Sequence, residues 1–287
     1  MRRIQHPGPS VDPKWEAVLC RTDSFPAELH PGKSLLDAIS GLVESHGSQS
    51  AVLRLRGGVL SRFCYYMPAL SSRPEYAVYF SDRHDVEGAV RLETASVTFG
   101  LRDGQPWLHC HAIWIEPDGK RRCGHLIPDI NWIDRPVHAE VTLLDGAVFT
   151  VLPDPETNFS LFLPRNKQSI ITDGRHAFAV RLAPNIDVCH AIESICSELH
   201  LNDVEIKGGV GSTVGAVFED GRNVDPFVTE VFIKSGQVIK KQNYGHQALI
   251  DVSMVDYTGG LSEGRLERGQ NPVLVTFELV LQPKFQE

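Results

Sequence analysis

Three histidines lie close together in the stretch PWLHCHAIWIEPDGKRRCGHL, from Pro106 to Leu126. Residues two apart in a strand point to the same face, about 6.5–7 Å apart, so His109 and His111 share a face and Cys110 points away from it. Pro117-Asp118-Gly119 supplies a turn, and the return strand carries Gly124-His125 back beside them. Three imidazoles from two adjacent strands can converge on one ion at about 2.0–2.1 Å, leaving a coordination position open for water or substrate. An ion held in that way polarises a carbonyl or activates water. Zinc is the first choice for an all-imidazole set, although nickel or iron would also accept it. The alternative is a set of hydrogen-bonded sheet residues, since histidine is often partly buried without a metal. Glu93 and Glu140 are the catalytic acid/base candidates, and His138 shares a strand face with Glu140.

Other stretches carry weaker chemistry. HxH followed by Glu116 fits the first motif of a cupin, a double-sheet jelly roll, but His125 follows too closely to be that fold's distant last ligand. KGGVGSTVGAV (207–217) looks like a phosphate loop yet lacks a GK[ST] ending, so close backbone approach explains its glycines better. The six cysteines form no CxxC pair and read as buried thiols. No G-x-S-x-G elbow is present.

The elements that must position the histidines occur twice. GKSLLDAISGLVESHG (32–47) has apolar residues at helical spacing, with Ser34 as N-cap and Gly47 as stop. NIDVCHAIESICSELHLN (185–202) repeats the pattern, with Asp187 as cap and Asn202 as the end. Each helix is followed by a strand and Gly-Gly-Val, at 57–59 and 208–210. LHCHAIWIEPDGKRRCGHL is matched later by LIDVSMVDYTGGLSEGRL (249–266), and both copies finish on an alternating strand, PVHAEVTLL with Glu140 and PVLVTFELVL with Glu278. The reading is α+β: two domains, each a mainly antiparallel sheet packed with an amphipathic helix. The expected boundaries are an N-terminal segment 1–23, a first domain 24–146, a proline-marked connector 147–175 and a second domain 176–287. Matching LHCHA to LIDVS sets Ile250 at His109 and Val252 at His111, and Arg265 falls at His125, so the second copy has no metal histidines.

These features together resemble the PPC (plants and prokaryotes conserved) family. The likeness rests on LLDAISGLVESHG, the Gly-Gly-Val-x-Ser strand, RLETASVTFG, L-H-x-H-A, the D-G turn, G-H-L and the final AEVTLL; Cys123 replaces the first glycine of the family's G-G-H. The resemblance implies a tandem pair of compact α+β units, assembly as a homo-oligomer of trimer type, and metal ligation by His109, His111 and His125. It also implies a DNA-binding alternative, because plant members bind DNA through a separate R-G-R-P hook. This chain has no R-G-R-P and a net charge of −8, so nucleic acid is disfavoured as a partner. A small-molecule ligand is expected instead, and Arg265 in the second copy is expected either to bind an anion or, as a structural residue, to pair with a carboxylate. With no apolar run long enough to span a membrane and no secretory pattern at the start, the expected location is cytoplasmic.

Overall fold

The computed structural model describes residues 1–168, 175–242 and 245–284. Its first half comprises β1 (Trp15–Leu29), α1 (Leu35–Ser45), β2 (Ser50–Arg56), β3 (Val90–Arg102), β4 (Gln105–Ile115), β5 (Arg121–Leu126) and β6 (Val137–Asp145). Neighbouring strands are antiparallel in the order β1–β6–β2–β3–β4–β5. Ser34 caps α1 by accepting from the Asp37 N–H at 3.0 Å, and Gly47 ends it at φ +72°, as the sequence predicts. Leu35, Ile39 and Val43 are buried in one core with Leu53, Val97 and Trp114. Between β2 and β3 the chain makes short strands, among them Cys64–Tyr66 and a hairpin of Pro68–Leu70 with Val78–Phe80.

The segment expected as a connector behaves differently. β7 (Ala147–Pro153) and β8 (Ser160–Asn166) pair over their full length, and Phe149 and Phe162 are buried in a core with Val52, Leu144 and Ala177. Pro153, the last residue of β7, and Pro164, within β8, leave the pairing register unbroken. Residues 169–174 of the expected connector lie outside the described residues.

The second half comprises β9 (Arg175–Leu182), α2 (Val188–Glu198), β10 (Val204–Val217), β11 (Asn223–Lys241), β12 (Gly245–Asp256), β13 (Leu261–Arg265) and β14 (Val273–Pro283). Its antiparallel order is β9–β14–β10–β11–β12–β13, element for element that of the first half. Asp187 caps α2 by accepting from the His190 N–H at 2.9 Å. The helix ends earlier than Asn202: His200 takes the left-handed conformation at φ +55°. Val188, Ile192 and Ile195 enter a second core with Ile233, Val252 and Leu279.

The halves form one continuous sheet. The first part of β1, Trp15–Thr22, pairs with β9 and the later part, Arg21–Leu29, pairs with β6. Residues 15–23, expected within a separate N-terminal segment, are thus the strand that joins the halves. The glycines of KGGVGSTVGAV allow the close approach expected of them: a Cβ on Gly208 (φ +65°) would lie 2.7 Å from the Val52 side chain, and one on Gly209 2.6 Å from Ile233. No helix among the described residues is long and apolar enough to cross a membrane.

Candidate metal centre

The hairpin of β4 and β5 aligns as its spacing predicts. His125 lies directly opposite His111, and Gly124 opposite Ala112. Cys110, Ala112 and Trp114 face the first core, which forces His109 and His111 onto the opposite face. Gly124 is needed where it stands, because a Cβ there would come within 2.8 Å of the Tyr66 carbonyl oxygen.

The three imidazoles converge, with one nitrogen of each within 4.8 Å of the others. His109 Nε2 is 3.1 Å from His111 Nε2, and His125 Nδ1 is 3.3 Å from that same nitrogen. The far side of two rings is already committed. His111 Nδ1 donates to the Val231 carbonyl at 3.0 Å, because a carbonyl can only accept. His109 Nδ1 donates to Glu278 Oε2 at 2.7 Å. A neutral His111 therefore turns a bare Nε2 lone pair toward His109 and His125. Burial, reinforced by the neighbouring His109 and His125, pushes His111 well below the usual histidine range, which favours this neutral, ligating form. Burial together with His109 lowers His125 as well.

Two carboxylates complete the centre, and both come from the second half. Glu230 on β11 places Oε2 3.6 Å from His111 Nε2 and Oε1 4.0 Å from His125 Nδ1. Glu278 on β14, only 1% exposed at its side chain, orients His109. Glu230 Oε2 and Glu278 Oε1 are buried without a hydrogen-bond partner among the described residues, as are the hydroxyls of Ser96 and Thr98, which lie opposite His111 and His109 on β3. Burial raises the Glu230 carboxyl well above the usual carboxylate range. Unsatisfied carboxylate oxygens of this kind are costly unless a cation compensates them.

A divalent cation fits this donor set. Ligands about 2.1 Å from a tetrahedral ion are separated by about 3.4 Å, close to the spacings found between the His111 Nε2 and its neighbours. The outer hydrogen bonds from His109 to a carboxylate and from His111 to a carbonyl are the orienting contacts that metal-bound histidines need.

The other candidates lie elsewhere. Glu93 forms an ion pair with Arg121 at 2.6 Å, and Arg121 also reaches Glu263 of the second half at 2.7 Å, so Glu93 serves an ionic contact between the halves. Glu140 is 63% exposed at its side chain and faces Arg54 at 3.8 Å. Neither lines the cavity that holds the histidines. His138 is exposed beside Glu28. Glu116, the carboxylate that a cupin would need, accepts from Trp114 Nε1 and faces Arg122. All six cysteines are buried and free.

The second half keeps the hairpin but not the ligands, and the register differs from the sequence match. Ile250, Val252 and Met254 face the second core, as Cys110, Ala112 and Trp114 face the first. Asp251 lies opposite Arg265, as His111 lies opposite His125. The positions matched to His111 and His125 are thus Asp251 and Arg265, one residue away from the Ile250/Val252 match. Their side chains pair at 3.0 Å, which occupies Arg265 with a carboxylate of its own chain.

Comparison with known families agrees with the first half. The model of the Plants and Prokaryotes Conserved (PCC) domain, the PPC family of the sequence resemblance, matches residues 21–144. The PCC match contains His109, His111 and His125, whereas Glu230 and Glu278 lie outside it. Solved structures similar to the chain include a plant- and prokaryote-conserved (PPC) protein of Pyrococcus horikoshii, 19% identical with a TM-score of 0.40, covering 53% of this chain and 97% of that one. A metal-containing protein of Archaeoglobus fulgidus is 18% identical with a TM-score of 0.40, covering 57% and 99%. A Ralstonia eutropha protein described as a DNA-binding candidate is 16% identical with a TM-score of 0.36, covering 48% and 89%. Comparison with curated proteins gives no match.

Proposed function

We propose that this chain is a metal-binding protein in which His109, His111 and His125 hold one divalent transition metal, zinc first, between its two halves. The observation that carries this is the convergence of three imidazole nitrogens on one point, with His109 and His111 held from behind by Glu278 and the Val231 carbonyl. A zinc ion bound there would supply Lewis-acid polarisation of a carbonyl or activation of water. Glu230, rather than Glu93 or Glu140, is the group placed to hold or move a proton beside the three rings.

The matching strand order supports reading residues 176–287 as a second, degenerate PCC-like unit joined in tandem to the first. On this reading the second unit has exchanged its own site for an Asp251–Arg265 pair and supplies Glu230 and Glu278 to its neighbour. Assembly into a homo-oligomer follows from the family resemblance and is tested by light scattering of the purified chain. The DNA-binding alternative finds a net charge of −8 against it.

The test is elemental analysis of protein purified without a histidine tag. About one zinc per chain is expected, falling to near zero in His111→Ala. Full metal content in that variant would overturn the assignment.

A further inference from the structure

The histidines form one end of a cavity of about 280 Å³ between the halves. Aromatic rings line it from the imidazoles outward. The Phe80 ring lies 5.2 Å from His125, Tyr66 lies 6.4 Å from it, and Phe159 meets Phe80 edge-on at 6.1 Å. Trp107 and Phe162 continue the wall. Such a surface favours flat apolar rings, which gain both area burial and edge or stacking contacts. The volume, just below that of a drug-sized pocket, holds on the order of ten to fifteen non-hydrogen atoms.

Charge selects further. The imidazole and carboxyl groups of the lining are those of the three histidines, Glu230 and Glu278. Glu230 and Glu278 both lie at the histidine end, while Arg102, the one lysine or arginine of the lining, is exposed and stacked on the Trp107 wall, its guanidinium 5.3 Å from the centre of that ring. An anionic head group placed at the histidine end would add an uncompensated buried charge, whereas a neutral oxygen donor would not.

We propose that this cavity binds a neutral, mainly aromatic small molecule with its carbonyl or hydroxyl oxygen toward His109, His111 and His125 and its ring among Tyr66, Phe80 and Trp107. The oxygen end of this inference rests on the metal reading above; the aromatic end rests on the cavity walls.

The test uses the full chain loaded with zinc, with metal content measured on each sample. Binding of acetophenone, benzyl alcohol and benzoate is followed by saturation-transfer NMR titration. Acetophenone and benzyl alcohol should bind saturably and at least tenfold more tightly than benzoate. Leu161→Trp, which enlarges a half-buried side chain of the cavity wall that is not one of the proposed ligands, should abolish that binding and retain the zinc. If zinc is present at one per chain but no aromatic binds, or benzoate binds as tightly as acetophenone, the inference fails and the metal site stands. It fails in the same way if Leu161→Trp binds acetophenone unchanged. If zinc is not taken up at all, the metal site fails and this inference fails with it.

Discussion

Glu278→Gln removes one charge from the back of the centre without changing side-chain size. Glu278 Oε2 accepts the His109 Nδ1 proton at 2.7 Å, and its side chain is 1% exposed, so solvent cannot substitute for it. The carboxylate fixes the tautomer that points Nε2 at the ion and makes that nitrogen more basic. An amide can still accept the hydrogen bond but carries no charge. Loss of such an orienting contact typically weakens metal binding tenfold to a hundredfold, about 1.4–2.7 kcal/mol. The zinc dissociation constant, measured by competition with a chromophoric chelator at pH 7.5, should rise by that factor. The metal-free protein should melt at the wild-type temperature or above it, because the variant no longer buries an uncompensated carboxylate. Glu140→Gln is the control: its exposed side chain faces Arg54, so its zinc affinity should match wild type. A Glu278→Gln protein with zinc affinity within twofold of wild type would refute the claim that the second half builds the site.

Three further outcomes follow from the packing and the charge. Asp154 and Arg181 form a 2.7 Å ion pair with both side chains 2% exposed, so Asp154→Ala should cost about 3–5 kcal/mol in urea unfolding; a loss under 1 kcal/mol would show that the pair is dispensable. Burial pushes the Cys20 and Cys196 thiols up to about 12, and burial with the Asp85 contact pushes Cys64 to about 11, so native protein at pH 8 should resist iodoacetamide while unfolded protein reacts at all six cysteines; rapid native labelling followed by mass spectrometry would contradict this. Duplex DNA should not be retarded by the chain at 50 mM salt, and a salt-sensitive shift would revive the DNA-binding alternative.

Local patterns in the sequence carried the hairpin. Strand periodicity of two, a Pro-Asp-Gly turn and Gly-His on the return strand were enough to bring His109, His111 and His125 together, and the caps of both helices were equally local. The acid groups were not local. Glu230 and Glu278 reach the histidines from strands of the other half, through pairings that no short stretch specifies. A signal for them existed: each is a single carboxylate within an apolar strand, VTEVFI and TFELVL, where a buried charge demands a partner. Glu93 and Glu140 were nearer in sequence to the histidines, yet the alternation of β3 and β6 turns them toward Arg121 and Arg54. The match of Ile250 and Val252 to the histidines was off by one residue, and in a strand one residue exchanges the two faces. Core burial of Ile250 and Val252 decides the register. Prolines at 153 and 164 suggested a break, but β7 and β8 accommodate both and bury Phe149 and Phe162.

The most direct measurement is the anomalous difference map of a crystal of the zinc-loaded chain, recorded at the zinc edge. One strong peak should lie between His109, His111 and His125, with Glu230 within reach of it. A map with no peak there, or with zinc bound only at other side chains, would contradict the account.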